Sequence, residues 1–328
     1  MQKPVQRSLH QHQLLTGQMP ARSLRQDAWR RFRSHKMATM AVGYLMLLCF
    51  IAIFAPVLTP HNPVQSDVAR AGVFRQAAWI EKPDPMRSGN ATYPLGTDSV
   101  GRDVLSRLVY GTRVSLIVGF VPMICIVTIG TAIGLISGIA SSRVDNLLMR
   151  FTDVVYAFPA LLLFVTMQIS FRDTGFGKLL NGLVLLFVTL SIVNWVGVAR
   201  LVRGEVLSLR EKEFIEAARA IGGTKRQIVT RHILPNALGP IIVAGAFIVP
   251  GAIITEATLS YLGLGVRSDI RLDAPFPTSW GAMILEGSKA WQSQPWMLIA
   301  PSAAIAMITL ALTFIGDGLR DAIDPRQE

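Results

Sequence analysis

Residues 37–58 read MATMAVGYLMLLCFIAIFAPVL, a run of 22 residues without Asp, Glu, Lys, Arg or His. At about 1.5 Å per residue, roughly 20 helical residues cross a hydrocarbon core about 30 Å thick, so this run is long enough to span a bilayer. Five further runs also lack these residue types: 114–140, 154–170, 179–199, 237–255 and 296–315. The sequence therefore predicts an all-α integral membrane protein with six transmembrane helices.

The composition of the whole chain also favours a membrane protein. The chain has 328 residues, of which 51% are hydrophobic and 16% are charged, against about 25% charged residues in soluble domains. The two cysteines, Cys49 and Cys125, lie inside apolar runs, so neither a disulfide framework nor a Cys/His metal site is expected. The first run follows a polar segment of 36 residues, which is too long for the head of a secretory signal peptide, and we expect an uncleaved anchor.

The distribution of basic residues predicts the orientation. Lys and Arg number 32 against 21 Asp and Glu, and cytoplasmic segments of membrane proteins carry an excess of Lys and Arg. About 20 of these 32 lie in residues 1–36, 141–153, 200–236 and 316–328. Both termini are therefore predicted to be cytoplasmic, and the basic balance needs no nucleic-acid partner to explain it.

These spans and loops divide the chain into segments. The predicted organisation is a cytoplasmic tail (1–36), a first transmembrane helix (37–58), a periplasmic loop (59–113), a core domain of the other five spans (114–316) with a cytoplasmic loop at 200–236, and a second tail (317–328). In the periplasmic loop, the stretch 98–108 is predicted to be an interfacial helix with a polar face of Arg102, Asp103 and Arg107. In the second span, Gly130, Gly134 and Gly138 recur every four residues and predict a close helix contact.

Several kinds of chemistry have no sequence support. The chain contains no G-x-x-x-x-G-K-[ST] phosphate loop and no H-E-x-x-H motif, so we expect a protein that is not an enzyme, has no ATPase site and binds no metal or cofactor itself. None of the six runs contains the carboxylate, lysine or histidine that ion-coupled transporters commonly place in the membrane. Asp153 and Glu256 lie at the edges of runs, where snorkelling or loop contacts are expected. The energy for any transport is therefore expected to come from another chain.

The loop at residues 200–236 is the most informative segment. Residues 211–221 predict a short amphipathic helix with one apolar stripe of Phe214, Ile215, Ala218 and Ile221. Gly222 and Gly223 end it, Thr224 is a predicted N-cap for a second short helix that runs to Leu234, and Pro235 opens the next span. Periodicity leaves two interpretations open: a knob that docks in a cleft of a partner, or a hairpin that lies on anionic lipid through Arg219, Lys225, Arg226 and Arg231.

A family resemblance favours the knob. Glu216, Ala217, Ala218, Gly222, Leu234 and Pro235 have the spacing of the E-A-A-x3-G-x9-I-x-L-P signature of ABC-importer permeases. One position departs, because the isoleucine of the signature falls on His232 and Ile233 follows it. The stretches LGTDSVGRDVLSRL (95–108), LSYLGLG (259–265) and GDGLRDAIDP (316–325) resemble the C-type subunits of oligopeptide and dipeptide importers. SLRQDAWRRF (23–32) and ARLVRGEVLSL (199–209) resemble the oligopeptide branch more than the dipeptide branch.

This resemblance implies a type I ABC importer permease fold in the bacterial inner membrane. It implies a coupling helix that docks in a groove of a cytoplasmic ATPase through Glu216, Ala217, Ala218, Arg219, Gly222, Gly223, Leu234 and Pro235. The implied partners are a homologous second permease in a heterodimer, two ATPase subunits that bind ATP and Mg, a periplasmic solute-binding protein and membrane lipid.

The resemblance also implies transport by alternating access. Oligopeptides are the first expectation for the substrate, and dipeptides, nickel or another small solute are the alternatives. Outside the resemblance, an autonomous secondary transporter or channel and a membrane scaffold without transport remain as rival interpretations.

Overall fold

The computed structural model describes residues 24–269 and 271–323, and within these ranges the regular structure is helical apart from one isolated bridge between Thr97 and Asp103. The helices are α1 (Leu24–Ser34), α2 (Lys36–Leu58), α3 (Val68–Ala71), α4 (Val104–Ile139), α5 (Ser142–Ala157), α6 (Ala160–Phe171), α7 (Leu183–Leu209), α8 (Glu213–Ala220), α9 (Lys225–Ile228), α10 (Leu234–Tyr261), α11 (Trp280–Ala290) and α12 (Trp296–Ile323). A 3₁₀ segment (Phe176–Gly182) precedes α7, and a π-helical turn (Val229–Ile233) joins α9 to α10. The all-α prediction is confirmed. Residues 1–23 and 324–328 of the two predicted tails lie outside the described residues.

Among the described residues, five helical segments are long and apolar enough to cross a membrane: Lys36–Leu58, Val104–Ile139, Phe176–Leu209, Lys225–Tyr261 and Trp296–Ile323. The predicted third span is a broken one, because α5 and α6 meet at an angle of 79°. The 12 residues of α6 reach only about 18 Å at 1.5 Å per residue, which is too short to cross alone. The six predicted spans thus correspond to five continuous helical segments and one bent pair.

The break lies at Phe158 and Pro159. Both residues have extended backbones, with ψ of 132° and 115°. A proline disfavours the helical conformation of the residue before it, so α5 ends at Ala157. The predicted third span at 154–170 is therefore not one continuous helix, and its first residues belong to α5, which begins at Ser142 in a predicted loop.

Two other predicted boundaries are wrong. The stretch 98–108 is not a separate interfacial helix, because Asp103 caps α4 by accepting hydrogen bonds from the backbone N–H groups of Leu105 and Ser106. The helix then runs without interruption from Val104 into the membrane span. At the fourth span, Leu180 and Asn181 have positive φ of 47° and 59°, so α7 begins only at Leu183 and continues to Leu209, well inside the predicted loop.

The predicted polar face of residues 98–108 is buried in a group of four charges. Arg107, only 1% exposed, donates hydrogen bonds to Asp98 at 2.7 Å and to both carboxylate oxygens of Glu286 at 2.5 and 2.9 Å. Arg102 donates to Asp98 at 2.6 Å and to Glu286 at 3.1 Å. These four residues, called the outer ion cluster below, attach the start of α4 to α11. A buried charge is tolerated only when it is paired, and one of the two carboxylates that pair with Arg107, Glu286, lies far from it along the chain.

The glycine stripe of α4 packs against α7, as predicted. A Cβ atom at Gly130 would lie 2.6 Å from the Val198 side chain, and one at Gly134 would lie 2.6 Å from the carbonyl oxygen of Ala199. A Cβ atom at Gly138 would lie 2.6 Å from Val206. The two backbones therefore approach closely along three successive turns, and the prediction of a close helix contact is confirmed.

Replacing Gly134 with valine is expected to force α4 and α7 apart, since the new side chain meets backbone that cannot move aside. Overpacking of this kind costs about 1–3 kcal/mol, which lowers the thermal unfolding midpoint in detergent by roughly 3–10 °C. The matched control is Gly197→Val on α7, where no atom lies within 4 Å of the new Cβ. Equal midpoints for the two variants would contradict this packing.

Both carboxylates predicted at span edges form hydrogen bonds within the chain. Glu256, 1% exposed on α10, accepts a hydrogen bond of 2.6 Å from the Ser260 hydroxyl, which lies 3.5 Å from the hydroxyl of Ser279 in the loop before α11. Of the two expectations for Glu256, snorkelling toward water is wrong and a loop contact is present. Asp153 on α5 accepts a hydrogen bond of 2.6 Å from Arg200 on α7. This ion pair helps to attach the bent pair to the neighbouring span.

Candidate functional site

The short helix α8 is held against one end of the helix bundle by two side chains. Ile215 is fully buried and Ala218 is 7% exposed. They join an apolar cluster that α4 and α7 share with α9, the π-helical turn and the start of α10: Ile126, Val198, Val202, Val206, Ile228, Ile233, Ala237 and Ile241. The helix is therefore packed on the two spans that flank it in sequence, not suspended in a free loop.

The glycine turn predicted after this helix is present. Gly222 has φ of +84°, a region that residues with a Cβ rarely adopt. The backbone N–H of Gly223 donates to the Ala218 carbonyl and that of Gly222 to the Arg219 carbonyl, each at 3.0 Å. This pair of bonds is the Schellman arrangement, which ends a helix by satisfying its last carbonyl groups.

The chain then re-enters a helix through a capping box. The Thr224 hydroxyl accepts a bond from the Gln227 backbone, and the Gln227 side chain accepts one from the Thr224 backbone. The predicted N-cap is confirmed, but the predicted separate second helix is not, because α9, the π-helical turn and α10 form one continuous segment. Within that turn Ile233 is 2% exposed and His232 is partly exposed. The apolar contact is therefore made by Ile233, one residue after the position at which the signature has its isoleucine.

The outer face of α8 is apolar at both ends. Phe214 is 44% exposed and Ile221 is 88% exposed, and Ala217 lies exposed between them. The prediction of one apolar stripe is wrong, since Ile215 and Ala218 face the protein while Phe214 and Ile221 face away from it. Exposed apolar residues beside charges are typical of protein interaction sites, and sequence periodicity did not separate the two sets.

The remaining predicted docking residues surround this face. Arg219, Gly222 and Pro235 are exposed, and Gly223 and Leu234 are partly exposed. Ala218 is the exception, because its side chain contacts the apolar cluster of its own chain. Its predicted role in close packing against a partner is therefore corrected: it allows α8 to approach the bundle.

Glu216 is an exposed carboxylate of α8 that can meet a partner. It is exposed and lies in the first turn of α8, where the helix dipole favours a negative charge. Within the described ranges no ion pair involves Glu216. An incoming basic side chain would therefore not have to displace an internal one.

The chain is similar to known membrane proteins. Residues 130–328, more than half of the chain, match the family described as "Binding-protein-dependent transport system inner membrane component". The chain belongs to this family. Residues 23–77 also match the "N-terminal TM domain of oligopeptide transport permease C", and these binding-protein-dependent permeases are multi-pass membrane proteins, in agreement with the apolar helices of this chain.

Relatives of this permease extend over nearly the whole chain. It is 38% identical over 309 residues to the oligopeptide transport system permease protein OppC of Haemophilus influenzae, with 94% of this chain and 91% of the relative covered. It is also 38% identical to OppC of Escherichia coli K12, with 94% and 93% covered. The dipeptide transport system permease protein DppC of Bacillus subtilis is 35% identical over 308 residues, with 94% and 87% covered. These matches confirm the predicted resemblance to the C-type subunits.

The fold also has a counterpart among solved structures. An inward-facing structure of the MetNI methionine ABC transporter superposes with a TM-score of 0.51, covering 66% of this chain and 96% of that one at 20% identity. This identity is low, so the likeness concerns the fold. The prediction of an ABC importer permease fold is confirmed.

Proposed function

We propose that this chain is one of two permease subunits of an ATP-driven importer that moves peptides, oligopeptides first, across the bacterial inner membrane. The proposal rests on the family, on relatives named for oligopeptide and dipeptide transport, and on one structural observation: α8 presents Phe214, Ala217 and Ile221 outward while Ile215 and Ala218 hold it to the bundle. A partner protein can bind the outer face of such a helix, and a movement of the helix is then transmitted to the spans on which it packs.

In this proposal α8 docks in a groove of a cytoplasmic ATPase. Phe214 and Ile221 supply apolar contacts, Ala217 lets the partner approach closely, and Glu216 pairs with a basic side chain of the partner. ATP and Mg are bound by the two ATPase subunits, and this chain takes part in no chemical step. A homologous permease completes the path, and a periplasmic solute-binding protein delivers the peptide.

The connection between docking and transport is mechanical. The helix α8 lies between α7, which ends at Leu209, and the continuous segment Lys225–Tyr261. Both segments run to the opposite end of the protein, so a displacement of α8 is carried along them. Closure of the paired ATPases would thus change which side of the membrane the path opens to.

Reconstitution tests this function. The complex retained by an affinity tag on this chain in mild detergent is expected to contain two ATPase subunits and a sister permease. In proteoliposomes with the binding protein, it should import a labelled peptide only when ATP is present, while this chain alone should move none. Import by the chain alone would favour the secondary transporter, and partners without any import would favour the scaffold.

The proposed orientation places Thr224 in the cytoplasm. A cysteine at this exposed position, in a chain with Cys49 and Cys125 replaced by serine, is expected to resist a membrane-impermeant maleimide added to intact cells and to react after the inner membrane is opened. The matched control is Lys82→Cys, exposed in the loop before α4, which should react in cells whose outer membrane alone is permeable. The reverse pattern would contradict the orientation.

A further inference from the structure

A small basic cavity lies beneath α8. Its volume is about 180 Å³, and its lining combines three cationic residues with an apolar floor: Gly138, Ile139, Arg210, Arg219, Lys225, Ile228, Val229 and Ile233. The three cations come from different elements, since Arg210 follows the last turn of α7, Arg219 belongs to α8 and Lys225 opens α9. The fold therefore brings together three positive charges that are separated along the sequence.

These cations have few internal partners. No carboxylate is among the residues that line the cavity, and in the described part of the chain neither Arg219 nor Lys225 forms a salt bridge. Arg210 donates one long hydrogen bond, 3.3 Å, to the Gly138 carbonyl. Asp145 interacts electrostatically with Arg210, but its carboxylate already accepts two hydrogen bonds of 2.6 Å from Arg203. Three like charges are thus left to share one cavity.

We propose that this cavity binds a phosphate-class anion, supplied by the headgroup of an anionic phospholipid or by free phosphate. Arginine and lysine are the side chains that bind phosphate oxygens best, and the cavity lies where α4 ends at Ile139, at the end of a membrane span. Basic pockets at the cytoplasmic ends of transmembrane helices suit lipid headgroups. The apolar floor of Ile139, Ile228, Val229 and Ile233 would contact the glycerol and first acyl carbons of a lipid, which free phosphate lacks.

A bound anion would tie α8 and α9 to the helix bundle. It would join Arg219 and Lys225, on either side of the Gly222 turn, to Arg210 at the end of α7. The anion would replace the mutual repulsion of these three cations with a shared attraction and so hold α8 against α7. This binding site stands on the cavity alone and does not depend on the proposed transport function.

The test compares two double variants that each remove two positive charges from the same loop. Arg219→Gln with Lys225→Gln removes two of the three positive charges that line the cavity. Arg226→Gln with Arg231→Gln removes two exposed positive charges that do not line it. The complex is purified in mild detergent with phosphatidylglycerol or phosphatidylcholine, and the lipid retained is measured by native mass spectrometry. In a second arm, inorganic phosphate is titrated into delipidated complex by calorimetry.

Each basic residue near an anionic headgroup contributes about fivefold to binding, so the cavity variant is expected to retain phosphatidylglycerol about 25-fold more weakly. The control should lose less than about threefold, because Arg226 and Arg231 do not line the cavity. The charge-retaining variant Arg219→Lys with Lys225→Arg should keep the lipid, which separates loss of charge from misfolding. Phosphate binding to wild type and control, with no preference between lipids, would support the site with free phosphate as its source. Equal losses in both double variants, or no loss in either, would overturn the proposal.

Discussion

Replacing Gly222 with valine is expected to reduce peptide uptake by at least about tenfold while the membrane complex stays assembled. Gly222 has φ of +84°, and a β-branched residue held in that region costs about 1–3 kcal/mol, enough to shift a local equilibrium about tenfold. No atom lies within 4 Å of a Cβ at this position, so the strain acts on the turn and not on the core. The measurement is uptake and ATP hydrolysis side by side in proteoliposomes.

Two further variants make this result specific to the turn. Asparagine tolerates positive φ better than other residues with a side chain, so uptake should fall in the order Gly222, Gly222→Asn, Gly222→Val. The control Gly204→Val puts the same side chain on an exposed helical glycine of α7 with open space around its Cβ. Full uptake by Gly222→Val, or the same loss in the Gly204 control, would remove Gly222 from the coupling mechanism.

Removing Glu286 is expected to destabilise the protein by about 3 kcal/mol, since loss of one partner leaves an uncompensated buried charge. The outer ion cluster balances two arginines against two carboxylates, and Glu286→Ala leaves Arg102 and Arg107 sharing Asp98. The value lies at the low end of the usual range because Asp98 still pairs with Arg107 at 2.7 Å. Thermal unfolding of the purified complex measures the loss.

The charge balance can be restored in a double variant. Arg107→Met with Glu286→Met removes one charge of each sign and leaves Asp98 bonded to Arg102 at 2.6 Å, so it should lose less stability than Glu286→Ala alone. Lys289→Ala, an exposed residue of the same helix α11, is the surface control and should change little. If the double variant were the less stable of the two, the unpaired charge would not be the cause.

The spans could be predicted because their signal is long and local. A run of about 20 apolar residues is normally a transmembrane helix. The turn at Gly222 could be predicted because a series of helix-forming residues stops at two glycines. The glycine stripe of α4 was equally readable, since spacing by four residues places Gly130, Gly134 and Gly138 on one face whatever the partner is.

The features that sequence reasoning missed depend on partners distant in the chain. In the sequence, the charges of residues 98–108 have the pattern of a solvent-exposed face. In the structure, the packing of α11 on α4 places Glu286 beside Arg107 and buries these charges. A uniformly apolar run has no periodicity to show where a helix turns away, so the sequence does not predict the 79° bend beside Pro159.

The division of α8 into an inner and an outer apolar face has the same origin. Phe214, Ile215, Ala218 and Ile221 fit one stripe at helical spacing, and only the position of the bundle decides that Ile215 and Ala218 are covered. The exposed pair, Phe214 at 44% and Ile221 at 88%, then becomes the most direct structural indication of a docking partner.

Photo-crosslinking from Ala217 tests the central claim most directly. The benzophenone amino acid is placed at Ala217, exposed on the outer face of α8, and in a control at Trp79, which is 60% exposed in the loop before α4. In membranes that contain the assembled complex, irradiation should join the Ala217 variant to an ATPase subunit and leave the Trp79 variant free of that adduct. An intact complex that gives no ATPase adduct from Ala217 would contradict the role of α8 as the coupling helix.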